Sequence, residues 1–85
     1  MKAINPFKQL TDNRVEYIEY QGQPVVYKDF MVAYNPKGSY DVIKNGICIC
    51  QRVTQNGAKG FIDIILSQPE DYFVQRALGF LAKHS

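Results

Sequence analysis

Tyr40-Asp41-Val42-Ile43-Lys44-Asn45-Gly46-Ile47-Cys48-Ile49-Cys50-Gln51-Arg52-Val53 decides the fold. Asn45-Gly46 is the strongest short hairpin signal a sequence can carry, because both central positions of a tight hairpin turn need positive φ. The flanking runs are rich in β-branched residues, so Tyr40–Lys44 and Ile47–Val53 read as paired strands. A two-residue turn sets Lys44 opposite Ile47, Ile43 opposite Cys48, Val42 opposite Ile49 and Asp41 opposite Cys50. One face then carries Tyr40, Val42, Ile47, Ile49 and Val53, and the other Asp41, Ile43, Cys48, Cys50 and Arg52.

Toward the N-terminus, Asn35-Pro36-Lys37-Gly38 is a turn cluster. Val25–Tyr34 before it reads as one long extended stretch, with Lys28-Asp29 marking a bulge or bend. A five-residue connection puts Phe30, Val32 and Tyr34 on the face with Val42, and Met31 and Ala33 on the other. A four-residue connection swaps them. The five-residue form gathers the large side chains and is preferred. Gln21-Gly22-Gln23-Pro24 breaks the chain, and Val15–Tyr20 reads as a further strand. Asn5-Pro6 pairs an N-cap residue with proline at the first helical position, so Pro6–Asp12 is expected to form a short helix.

Toward the C-terminus the period changes. Thr54 is a candidate N-cap, and Ala58, Phe61, Ile62, Ile65 and Leu66 make one apolar helical stripe. Ser67-Gln68 interrupts it. Pro69 opens a second helix with Glu70 and Asp71 in its first turn, where acids suit the dipole. Phe73, Ala77, Phe80 and Leu81 continue the stripe, and Lys83-His84 lies near its end. The expected fold is a single α+β domain over residues 1–85: a four-stranded, mainly antiparallel meander sheet followed by two C-terminal helices packed on one face. Its expected core is Val42, Ile49, Phe61, Ile62, Ile65, Phe73 and Leu81.

The composition agrees. The chain has 85 residues, 46% hydrophobic and 21% charged, which excludes a disordered tail, a collagen-like repeat and a disulfide-dense miniprotein. The net charge is +2, and basic residues from Lys28 to Lys83 alternate with acids rather than clustering. Cys48 and Cys50, two apart on one strand face, would stand about 6.6–6.8 Å apart, which disfavours an intrachain bridge. Free thiols point to a reducing compartment, so a cytoplasmic location is expected. No apolar run approaches the ~18 residues of a spanning helix. Lys2 is not followed by an apolar signal-peptide segment, and no membrane partner is expected.

The residues for catalysis are scarce. His84 is the single histidine, and it stands beside the last residue, so it makes a poor base. Cys48-x-Cys50 is not a CxxC pair, and two thiols with one distant histidine do not fill a closed zinc site. Glu70-Asp71 is explained by the helix dipole. Glu16 and Glu19 fall on opposite faces of a strand. No catalytic residue, metal or cofactor is expected.

Gly57-Ala58-Lys59-Gly60 at the start of a helix resembles the GxxG nucleic-acid clamp of KH domains, in which backbone amides meet phosphate. Asn56 and Asp63 stand where that pattern wants apolar residues. The order strand–hairpin–strand–helix from Phe30 to Leu66 also resembles integrase arm-binding and AP2-type DNA-binding domains. That likeness covers under half the chain, rests on topology and carries no site residues over. This build also fits a protein of phage or mobile-element type.

The sheet face away from the helices would be Met31, Ala33, Ile43, Cys48 and Cys50, rimmed by Asp41 and Arg52. That is more apolar than a solvated face should be. Either the N-terminal segment (Ile4, Phe7, Leu10) covers it, or it binds a partner or a second copy. The expected function is a small non-enzymatic interaction protein, a regulator or inhibitor of a larger protein, with Met31, Ile43, Cys48, Cys50 and Arg52 as the partner-binding residues. The alternative is nucleic-acid binding through Lys59, Arg52 and Lys44 with exposed sheet tyrosines.

Overall fold

Asn45 and Gly46 both take positive φ, 53° and 76°, and turn the chain between two antiparallel strands. The computed structural model describes residues 1–7 and 14–84. In chain order its elements are β1 (Lys2–Ile4), β2 (Tyr17–Glu19), β3 (Val25–Tyr27), β4 (Phe30–Asn35), β5 (Ser39–Lys44), β6 (Ile47–Arg52), α1 (Gln55–Ser67) and α2 (Tyr72–His84). The strands form one six-stranded sheet in the order β2-β1-β6-β5-β4-β3. All neighbours are antiparallel except β1 and β6, which run parallel through Ile4 and Ile47.

The α+β class and the strands-then-helices order stand, but the four-stranded sheet is corrected to six mixed strands. Two strands were unforeseen. Val25–Tyr34 is not one extended stretch. Lys28 and Asp29 have φ of 50° and 70°, so they form a tight hairpin turn between β3 and β4 rather than a bulge. Lys28 is held there by an ion pair to Asp63 on α1, at 2.7 Å. The second addition is β1, too short to show a periodicity, which adds to the edge of β6. The expected helix over 6–12 lies, apart from Pro6 and Phe7, outside the described residues; those two form a turn.

Between β4 and β5, Tyr34 pairs with Tyr40 across residues 35–39, the five-residue connection. Phe30 and Val32 therefore join the helix-side core, and Met31 and Ala33 lie on the outer face. Between β5 and β6 the pairing starts as expected, with Lys44 opposite Ile47 and Ile43 opposite Cys48, and then shifts. Val42 pairs with Cys50 and Asp41 with Gln51, leaving Ile49 as the extra residue of a β-bulge. The bulge turns both Ile49 and Cys50 toward the helices. Cys48 stays on the outer face, so the two cysteines, expected on one face, lie on opposite faces.

Thr54 caps α1 as expected, accepting a 2.9 Å hydrogen bond from the Gly57 amide. Ala58, Phe61, Ile62 and Ile65 are buried, and Leu66 at the end of the stripe is exposed. The second helix starts later than Pro69. Asp71 is its cap, accepting from the amides of Phe73 and Val74 at 2.9 and 3.3 Å. With that start, Val74 and Ala77 are buried, Leu78 and Leu81 pack beside them, and Phe73 is 59% exposed. Phe73 therefore leaves the expected core and Val74 takes its place.

The outer face is closed by the chain itself. Ile43 and Cys48 are 0% exposed, covered in a second apolar cluster with Ala3, Ala33 and Tyr20, against which Ile18 and Met31 pack. Tyr20 follows β2, and the Tyr20 hydroxyl donates to Asp41 on β5 at 2.7 Å. In a flat sheet β2 and β5 are three strand spacings apart, about 14–15 Å, further than a tyrosine spans. The sheet must coil until its β1–β2 edge folds over its own outer face. Among the described residues the covering ones are Ala3, Ile18 and Tyr20, not Ile4 and Phe7. Ile4 packs on the helix-side cluster, Phe7 meets Phe80 on α2, and Leu10 lies outside the described residues. Among the described residues no helix is long and apolar enough to cross a membrane.

Candidate functional site

The bulge in β6 decides where the strand delivers its last side chains. After Ile49 and Cys50 have both turned inward, Gln51 returns to the outer side and donates to Asp41 at 3.3 Å. Arg52 then points toward the helices, and its guanidinium lies 4.7 Å from the centre of the Phe61 ring on α1. On α2, Phe73, Arg76 and Phe80 follow at i, i+3 and i+7, so they share one stripe. The Arg76 guanidinium stands 5.7 Å from the Phe80 ring. Phe7 closes the far wall, edge-on to Phe80 with ring centres 5.3 Å apart.

These side chains enclose an open cavity of about 310 Å³ between the end of β6 and α2, with Cys50 and Ala77 at its base. Among the described residues, no acidic side chain lines it and none forms an ion pair with either arginine. The polar contact of Arg52 is a 2.9 Å hydrogen bond from Nη1 to the Gln51 carbonyl. The cavity thus offers two cationic forks set among phenylalanine rings, a surface suited to carboxylates beside apolar groups. Next along the chain from its lining residues Arg52 and Phe73, Val53 is 84% exposed and Tyr72 meets Phe73 edge-on, with ring centres 5.3 Å apart. Burial pushes the Cys50 thiol up to about 11, against the pull of Arg52, so at neutral pH it is a neutral thiol and a weak nucleophile.

Of the five expected partner-binding residues, Arg52 and Cys50 meet at this cavity on the helix side. Ile43 and Cys48 are sealed under the β1–β2 edge and present no surface, and Met31 is half-buried beside them. The five do not form one patch, because the bulge separates the last two from the rest.

Nor do Lys44, Lys59 and Arg52 converge. Lys44 lies 5.0 Å from the Phe30 ring and donates to the Asp29 carbonyl, Lys59 lies 5.7 Å from the Tyr27 ring, and Arg52 lies over Phe61. Lys28 shares the Tyr27 ring with Lys59, at 5.2 Å, and is neutralised by Asp63. At the GxxG stretch, the Gly57 and Ala58 amides are spent on Thr54. A Cβ on Gly57 would stand 3.0 Å from the Thr54 hydroxyl oxygen, so glycine there serves the close approach of the cap.

Sequence reasoning missed Phe7, Phe73, Arg76 and Phe80 as site residues. Phe73 and Phe80 were assigned to the core stripe. The available signal was Arg76, an arginine between two phenylalanines on one helical stripe, where a buried stripe carries no charge.

A buried polar cluster lies on the opposite face. The Asp41 side chain is 0% exposed and accepts from Tyr20, Ser39, Asn35 and Gln51 at 2.7, 2.7, 3.1 and 3.3 Å. Four neutral donors from four segments make this a clasp that holds the folded-over edge in place. Among the described residues, no group of three histidine, cysteine, aspartate or glutamate side chains is placed to hold a metal ion. No protein-family model, curated protein or solved structure matches the chain.

Proposed function

We propose that this chain is a non-enzymatic interaction protein, a regulator or inhibitor of a larger protein, and that it binds through the cavity between β6 and α2. The observation that carries this reading is the pair of arginines, Arg52 and Arg76, set over phenylalanine rings in an open cavity with no acidic residue among its described lining. Arginine and aromatic side chains are the residue types that dominate protein–protein hot spots. A guanidinium already stacked on a ring loses little freedom when it takes a partner. Phe73 in the lining is itself exposed, and its chain neighbour Tyr72 adds exposed apolar surface. The outer sheet face supports no such role, because the β1–β2 edge covers its centre.

The test is capture on the immobilised protein from a lysate of the source cells, with and without nuclease. Arg52→Ala and Arg76→Ala serve as the site variants, and Lys28→Ala with Lys59→Ala as the control on the far side of α1. The expected result is a defined protein retained by the parent and by the lysine variant, lost from either arginine variant and indifferent to nuclease. Capture that vanishes with nuclease, or that depends on the lysines instead, would transfer the function to nucleic-acid binding.

A further inference from the structure

We infer that the occupant of this cavity is an acidic peptide segment with an apolar residue between two carboxylates, the carboxylates meeting Arg52 and Arg76. This rests on the interaction reading above and names the partner's chemistry. Charge complementarity carries it. Each guanidinium lies over a ring, at 4.7 Å for Arg52 and 5.7 Å for Arg76, and the N–H donors that Arg76 carries and that Arg52 does not give to the Gln51 carbonyl can meet planar carboxylates. The lining between them is aromatic and aliphatic, with Phe61, Phe73 and Ala77 facing the space where an apolar side chain would sit. Its volume, about 310 Å³, is at the small end of ligand cavities and suits one or two side chains rather than a folded surface.

Single-stranded nucleic acid fits less well. Such binders track the backbone with a continuous basic groove. Here Lys28 is paired with Asp63, Lys44 is bound to the Asp29 carbonyl, and both lie away from the cavity.

The probes are terminally blocked, fluorescently labelled peptides with Asp-Phe-Asp, Asn-Phe-Asn or Asp-Ala-Asp at the centre of a Gly/Ser frame, and a labelled oligo-dT. Each is titrated with the full chain by anisotropy at low salt. The expected order is Asp-Phe-Asp tightest, with each of the other two peptides weaker by roughly tenfold or more, the scale of one lost anchor. Arg76→Ala should weaken the Asp-Phe-Asp peptide by a similar factor. Arg76 is exposed, so that variant tests the site without threatening the fold, and Phe73→Ala, also exposed, tests the apolar contact. Binding of Asp-Phe-Asp that is absent, equal to Asn-Phe-Asn, or unchanged in Arg76→Ala would overturn the inference. Tighter binding of oligo-dT would also overturn it, as would a parent that sediments as a dimer dispersed by Arg76→Ala. If no peptide binds while a captured protein still depends on Arg52 and Arg76, the acidic-segment inference falls and the interaction reading survives. If the arginines matter in neither assay, both fall.

Discussion

Asp41 and the two cysteines show how burial sets chemistry one residue at a time. Asp41 keeps a carboxylate inside the fold because four neutral donors replace the water it loses. Burial raises the thiols instead, Cys50 to about 11 and Cys48 further, with the Asp41 charge adding to the rise at Cys48. The consequence for stability has a definite sign. Above about pH 8.5 the unfolded chain releases thiol protons that the folded chain retains. The unfolded state then binds fewer protons, so stability falls as pH rises. The stability linked to Cys50 is whole below about 8.5 and lost by about 11. Tyr20, raised in the same way by burial, joins above about pH 10. Urea midpoints measured from pH 7 to 11 should fall through this window, and Cys50→Ala should fall less steeply. A variant with the parent's slope would show that the thiol is not protected.

At the scale of elements, α2 is where two apolar stripes compete. Phe73, Ala77, Phe80 and Leu81 fit a helical face, and so do Val74, Ala77, Leu78 and Leu81. The cap decides between them. Asp71 holds the amides of Phe73 and Val74 and sets the helix start, and the second stripe meets the sheet. Phe73 and Phe80 are thereby released to line the cavity. Val74→Ala should cost about 1–3 kcal/mol, since it empties a fully buried site. Phe73→Ala should leave stability within roughly 0.5 kcal/mol of the parent. Thermal melts of the two variants check the assignment, and the reverse order of cost would place Phe73 in the core.

For the whole molecule, the coiled sheet converts what reads as a binding face into a second core. A small domain has little interior to spend, and folding β1–β2 over Ile43 and Cys48 adds a buried cluster without adding a layer of helices. Ile43→Lys places an ammonium where the side chain is 0% exposed. It should destabilise the monomer by several kcal/mol and leave it largely unfolded by far-UV circular dichroism. A folded Ile43→Lys protein that only dissociates on sedimentation would restore the outer face as an interface.

Local chemistry was enough for the α+β order, the Asn45-Gly46 hairpin, the Thr54 cap and the buried face of α1. Each depends on neighbours within a few residues, where turn φ, side-chain capping and helical period act directly. The Lys28-Asp29 turn escaped because lysine does not advertise positive φ, and the partner of Lys28, Asp63, is 35 residues further along the chain. The bulge at Ile49 escaped because alternation assumes an unbroken register, and one extra residue exchanges the faces of all that follow. That exchange sent Cys50 and Arg52 to the helix side, where Arg52 meets Phe61 and faces a cavity shared with Arg76. The site therefore belongs to the tertiary structure: its two arginines come from a bulged strand and a capped helix, and only the packing of one on the other brings them together.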